Sequence, residues 1–235
     1  VGEDDDDGPL PTTNELVADF LAAKHPETDA LLLVWAEMLD DDLLKRKVAR
    51  QVRPRLKQLP AWLGKVDEIR PVRAVALRSV TQDEEIILLE IATPHGPFTI
   101  AVFLDLLAAT LLEDAFAVPG DASKFTEGVY PDDVFDLPPV EISLADARAR
   151  IVQALEVTKM SYPRVETETW PMVRNLLEWQ LRLMPEGGEG VPHAEWTQEE
   201  VDEFVDEFLQ SKYAKRLGKV DKADVMLLTN FADAY

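Results

Sequence analysis

Cysteine is absent from this chain of 235 residues, and histidine occurs only three times. No apolar run approaches the roughly 18 residues needed to cross a bilayer. Without cysteine there are no disulfides, no thiolate metal sites and no cysteine nucleophile, a pattern that fits a cytoplasmic location. The N-terminus, which begins at Val1 rather than Met, shows neither a basic region nor an apolar one, so no signal peptide is visible in it. His25, His95 and His193 lie far apart, with no HxxxH or HxH spacing. A multi-histidine metal site would therefore have to be assembled by the fold. GxSxG is missing, and Ser79, Ser123, Ser143, Ser161 and Ser211 have no nucleophile-elbow context. Gly187-Gly188-Glu189-Gly190 is followed by no Lys-Ser or Lys-Thr and is no phosphate cradle. Positive charge is also scarce, with 24 Lys and Arg against 45 Asp and Glu, a net −21. Such a surface repels nucleic acid and anionic membranes.

What the chain does contain is enough apolar sequence for a sizeable core. Its longest apolar runs lie between Val72 and Val118. Ile86 to Ile91 and Phe98 to Phe103 are short, β-branched and joined by the turn cluster Thr93-Pro94-His95-Gly96-Pro97. That arrangement predicts a hairpin near 85–103. Arg73 to Val80 alternates and predicts a third strand near 73–80, whereas Asp105 to Phe116 has helical spacing through Leu106, Leu107, Thr110, Leu111 and Asp114. A sheet this small needs helices to cover it. The expected class is α+β, mostly helical, with a small antiparallel sheet.

The expected organisation is an acidic, disordered tail over 1–11, helices plus the sheet over 12–118, a loop-rich connection over 119–142 and a helical lobe over 143–235. Thr12-Thr13-Asn14-Glu15 matches a capping box ahead of Leu16, Val17, Phe20 and Leu21. Pro26 opens a second helix with Leu31, Leu32, Trp35, Met38 and Leu39 inward. Asp40-Asp41-Asp42 caps a third helix, with a stripe of Leu43, Leu44, Val48 and Val52, which Pro54 ends. Beyond the sheet, helices are expected from Ser143 to about Thr158, from Thr169 to Pro185, from Thr197 to Leu209 and from Asp221 to Phe231.

Charge is unevenly spread. Lys45 to Arg78 holds eleven Lys or Arg and two acids, a balance of +9, so the remainder of the chain carries −30. Lys45, Arg46, Lys47, Arg50, Arg53, Arg55 and Lys57 form the candidate partner-binding set. Solvated helix faces and self-complementation are the plain alternative. Asp105, Glu113 and Asp114 near His95 are the candidate ligands for a hard metal, because Asp105 and Glu113 share a face if their segment is helical. Solvated surface acids are the competing reading.

Pro60-Ala61-Trp62-Leu63, Asp105 to Pro119, Glu166 to Pro171 and Leu183 to Gly188 resemble steps in an actinobacterial family of uncharacterised proteins, mainly over residues 50–190. The resemblance implies a bacterial source and no activity, cofactor or catalytic residue. The family has a polar Asp-His-Asn pattern where this chain reads Asp105-Leu106-Leu107, which puts any chemistry of that pattern in doubt here. Its members extend further at the C-terminus, which leaves open that this chain is a portion.

Strong caps, segregated charge and no recognisable catalytic set lead to a non-catalytic protein-interaction module. It would bind a protein partner or itself, with no cofactor, no membrane and no direct contact with nucleic acid. The alternatives are a metal-dependent hydrolase using the carboxylates above, and an acidic nucleic-acid mimic.

Overall fold

The computed structural model describes residues 11–39, 41–79, 83–106, 110–128, 138–160 and 167–191, with Asp202, Val205, Asp206, Leu209 and Gln210. The acidic tract before Pro11, residues 129–137 of the 119–142 connection and nearly all of the two C-terminal helices expected from sequence fall outside these residues. The chain divides into two compact units, Val1–Glu68 and Ile69–Tyr235.

The first unit contains three helices, α1 (Thr13–Ala23), α2 (Pro26–Met38) and α3 (Asp42–Val52), then two short 3₁₀ segments, Arg53–Gln58 and Ala61–Glu68. α1 and α3 start where the sequence supplies a side-chain cap, and α2 starts at Pro26 with no side-chain cap from His25. Glu15 returns a carboxylate to the Thr12 N–H at 2.8 Å, completing the capping box of α1. The Asp41 carboxylate accepts from the N–H groups of Leu43 and Leu44, both at 2.9 Å. Pro54 lacks the N–H that would continue α3, and the helix passes into 3₁₀ geometry there.

The buried stripe of α3 is Leu44, Val48 and Val52, at intervals of four, while Leu43 is 77% exposed. In α2 the inward face is rotated from the expected one. Asp29, Leu32 and Ala36 are buried, and Leu31 is 50% exposed. The cause is an ion pair: Arg55 grips Asp29 through Nε and Nη2, each at 2.5 Å, turning the Asp29 side of the helix inward. The larger apolar residues Phe20, Leu31, Val34, Trp35 and Met38 then line an open apolar groove.

The second unit is built on five antiparallel strands, β1 (Arg70–Arg78), β2 (Glu84–Ala92), β3 (Phe98–Asp105), β4 (Leu111–Pro119) and β5 (Val140–Ile142), in the order β4-β3-β2-β1-β5. The fold is α+β, with two more strands than the three expected. The hairpin is present, its Thr93–Pro97 turn held by the Gly96 N–H on the Thr93 carbonyl at 3.2 Å.

β4 replaces the helical segment expected from Asp105 to Phe116. Glu113 is an extra residue in the β3–β4 ladder, because Phe103 pairs with Asp114 and Leu104 with Leu112. The bulge moves the strand's alternation by one place. Its apolar residues therefore fall at Leu111, Leu112, Ala115 and Phe116, intervals that imitate a helix.

Residues paired across strands share a face. One face carries Ala74, Ala76, Ile87, Leu89, Ile100, Val102, Leu104, Leu112 and Ala115. It meets α5 (Leu144–Met160) and α6 (Trp170–Leu183), both of which contact β4 and β1. The helices after residue 143 thus join the sheet, within the compact unit that begins at Ile69. The other face clusters Val75, Leu77, Ile86, Leu88 and Ala101 with Ala122 and Phe125 of α4 (Ala122–Gly128). Gly188 lies so close to α5 that a Cβ there would stand 2.1 Å from the Ala145 carbonyl oxygen.

Glu85, 1% exposed on the α5 side of the sheet, takes Arg78 Nε at 2.8 Å and Arg150 Nη1 at 2.6 Å on one carboxylate oxygen. Removing one partner from a buried charge cluster leaves the others uncompensated. Glu85→Ala is expected to lower unfolding free energy by about 3–5 kcal/mol, measured by urea denaturation. Glu141→Ala, which deletes the exposed partner of Arg73, should change it by less than about 1 kcal/mol.

Candidate functional site

The seven candidate cations divide by what they already touch. Arg55 is committed to buried Asp29, and its guanidinium is held above its ordinary pKa chiefly by that hydrogen bond. It is a structural residue and leaves the proposed partner-binding set. Lys45 pairs with Glu37 across the α2–α3 corner. Arg46 reaches only Asp42, at 3.9 Å, and its side chain is 77% exposed. Lys47, Arg50, Arg53 and Lys57 have no ion pair among the described residues.

Arg46, Arg50 and Arg53 follow at intervals of four and three, which places them along one side of the helical run. Opposite them the buried Leu44, Val48 and Val52 fix the helix. Leu43, Arg46, Lys47 and Arg50 surround a shallow depression of about 210 Å³. The result is a projecting leucine in a field of cations, able to meet an anionic surface that also offers an apolar contact.

The four candidate metal ligands are not gathered into one group, although Asp105 and Glu113 both act on Glu84. His95 sits in the exposed hairpin turn, and Asp105 ends β3 at its opposite end. The length of β3 alone separates these two ends by about 23 Å at the usual rise per residue. Asp114 is occupied: its carboxylate accepts the Thr167 hydroxyl at 2.6 Å and the Thr169 hydroxyl at 2.6 and 2.7 Å. These bonds fasten the start of α6 to β4. The shared helical face of Asp105 and Glu113 does not exist, because Glu113 is the bulge of a strand. No group of three metal-ligating side chains occurs among the described residues.

A different acidic cluster forms instead. Glu84 stands opposite Asp105 in the β2–β3 register. Partial burial, and then the charges of Asp83, Glu113 and Asp105, hold the Glu84 carboxyl above its ordinary range. Sequence reasoning missed Glu84, although a signal was available. A hairpin centred on 94–95 puts residues equidistant from the turn opposite one another, and Glu84 and Asp105 satisfy that condition.

Trp170 and Trp179 are core residues, while His25 is exposed just before α2, where its carbonyl accepts the Asp29 N–H. His193 and Trp196 lie outside the described residues. No helix among the described residues is long and apolar enough to cross a membrane. Comparison with protein-family models, with curated proteins and with solved structures finds no match to this chain. The functional reading therefore rests on its own residues.

Two outcomes check these assignments. Arg55→Ala should lower the melting temperature by several degrees, whereas Arg50→Ala should stay within about 0.5 kcal/mol of the parent, both measured by calorimetry. Glu84→Gln should raise stability at neutral pH by no more than about 0.5 kcal/mol, discounted for its exposure. The folded state holds the Glu84 proton more tightly than the unfolded chain does. Its repulsion is therefore absent below the ordinary value of 4.5 and grows as pH rises through the folded value. The gain from Glu84→Gln should vanish in melts recorded below that pH.

Proposed function

We propose that this chain is a cytoplasmic, non-catalytic protein-interaction module whose α3 surface docks an acidic protein. The observation that carries the reading is that exposed Arg50 and Arg53 and half-buried Lys47, along α3 and the 3₁₀ turn that follows it, have no counter-ion among the described residues, on a chain of net charge −21. In so acidic a protein, cations that neutralise neighbours are unremarkable. Cations left without carboxylates on a rigid helix are available to something else. Complementary charge speeds encounter and selects orientation, while an apolar contact such as Leu43 supplies affinity that salt does not screen. The absence of cysteine fits the location. Overall acidity opposes docking on nucleic acid, which is itself a dense polyanion.

The test compares the full chain with its Arg46→Glu, Arg50→Glu, Arg53→Glu variant as bait in extract of the native host, with bound proteins quantified by mass spectrometry. An acidic protein retained at low salt is expected to fall at least about tenfold on the variant. The two baits should melt at the same temperature. Identical bound sets would remove this surface from consideration.

A further inference from the structure

We infer that α1 and α2 form a second docking surface, which receives a cationic amphipathic helix of another protein. None of its residues belongs to the basic face of α3.

Phe20, Leu31, Val34, Trp35 and Met38 line an open groove of about 330 Å³. The Phe20 and Trp35 rings stand 6.4 Å apart between centroids, with their planes tilted by 57°. Leu31 is 50% exposed, and the other four side chains are half-buried. The core cannot take them in, because Asp29, Leu32 and Ala36 already occupy the inward side of α2. Arg55 fastens Asp29 there. Apolar side chains that a fold holds together at its surface mark contact with another molecule.

The spacing of the lining defines the shape of the occupant. Leu31, Val34, Trp35 and Met38 form the stripe of one helix face. It rises over seven residues by about 10 Å, the length of two turns of a partner helix. Apolar anchors one turn apart on such a helix fit a groove of this length.

Charge defines the rest. Between Val1 and Asp42 there are thirteen acids and one cation, Lys24, a balance of −12. Glu27 lies on the Leu31 stripe, four residues before it, and Asp19 adjoins Phe20. Both acids are exposed and have no ion pair among the described residues. Such a rim repels an acidic helix, and the net charge of −21 repels a second copy of the chain. A cationic helix is drawn in at long range and then held by apolar contact, which salt does not screen.

The probe is a peptide of about 18 residues, lysine and leucine only, with leucine at helical intervals of three and four. It is titrated into the full chain and followed by calorimetry and amide NMR. Binding is expected, with the shifted amides concentrated in α1 and α2. Leu31→Lys should weaken it at least about tenfold, and Asp19→Lys with Glu27→Lys should do the same at low salt. Both variants should melt with the parent, because the altered residues are exposed. Glu156→Lys, an exposed charge change in the other compact unit, should alter binding by less than about twofold. Arg46→Glu, Arg50→Glu, Arg53→Glu should not weaken it.

Failure of the peptide to bind overturns the inference, as does binding that survives Leu31→Lys. Equal binding of a lysine–serine peptide, which has the charge without the anchors, overturns it too. So does equal binding of a glutamate–leucine peptide. Binding that appears only after Lys212→Glu, Lys215→Glu and Arg216→Glu gives the groove to the chain's own basic stretch and overturns a separate partner. Sedimentation that shows dimers dissolved by Leu31→Lys gives it to a second copy, with the same consequence. The α3 reading stands or falls separately, on the host bait with its arginines reversed.

Discussion

Removal of both faces of the β2–β3 pair from water is the constraint on which the second unit depends. Ile86 to Leu89 and Ile100 to Val102 are buried without a break, so neither face of these strands can serve as a solvent surface. The backbone polar groups are satisfied by the ladder, and the side chains need apolar cover above and below. α5 and α6 contribute on one face and α4 on the other. Glu85, the one buried carboxylate of this sheet among the described residues, is kept there by two arginines.

The same electrostatic rule separates structural cations from available ones. A buried carboxylate must be matched, so Asp29 recruits Arg55 and Glu85 recruits Arg78 and Arg150. Those arginines are spent inside their own units. The cations of α3 lie on the solvent side of a helix whose opposite side is core, where no buried acid can reach them. Charge segregation in the sequence becomes an available surface only because burial decides which members of the basic island are consumed.

The β4 edge of the sheet is partly closed to pairing with another strand. The Leu112 N–H is taken by the Thr158 hydroxyl at 2.8 Å, and the Ala115 N–H by the Asp114 carboxylate at 2.8 Å. Threonines 167 and 169 hold that carboxylate in place. An edge strand with occupied donors and a bulge at Glu113 is a poor template for another strand.

Sequence alone determined the elements whose signals are local. The Thr12 and Asp41 caps, Pro26, Pro54 and the Thr93–Pro97 turn act over a few residues, and each helix or strand they announce is present. It also showed the basic island, since a count of charges needs no coordinates. Tertiary structure decided what depends on distant partners. β4 read as helical because one bulged residue shifts a two-residue alternation into helical intervals. The inward face of α2 was set by Arg55, 26 positions beyond Asp29. Strand geometry sends His95 and Asp105 to opposite ends, whereas hairpin register brought Glu84 to Asp105. Hydrophobic period and capping are properties of neighbouring residues; which charges are buried, paired or left facing solvent is a property of the packed chain.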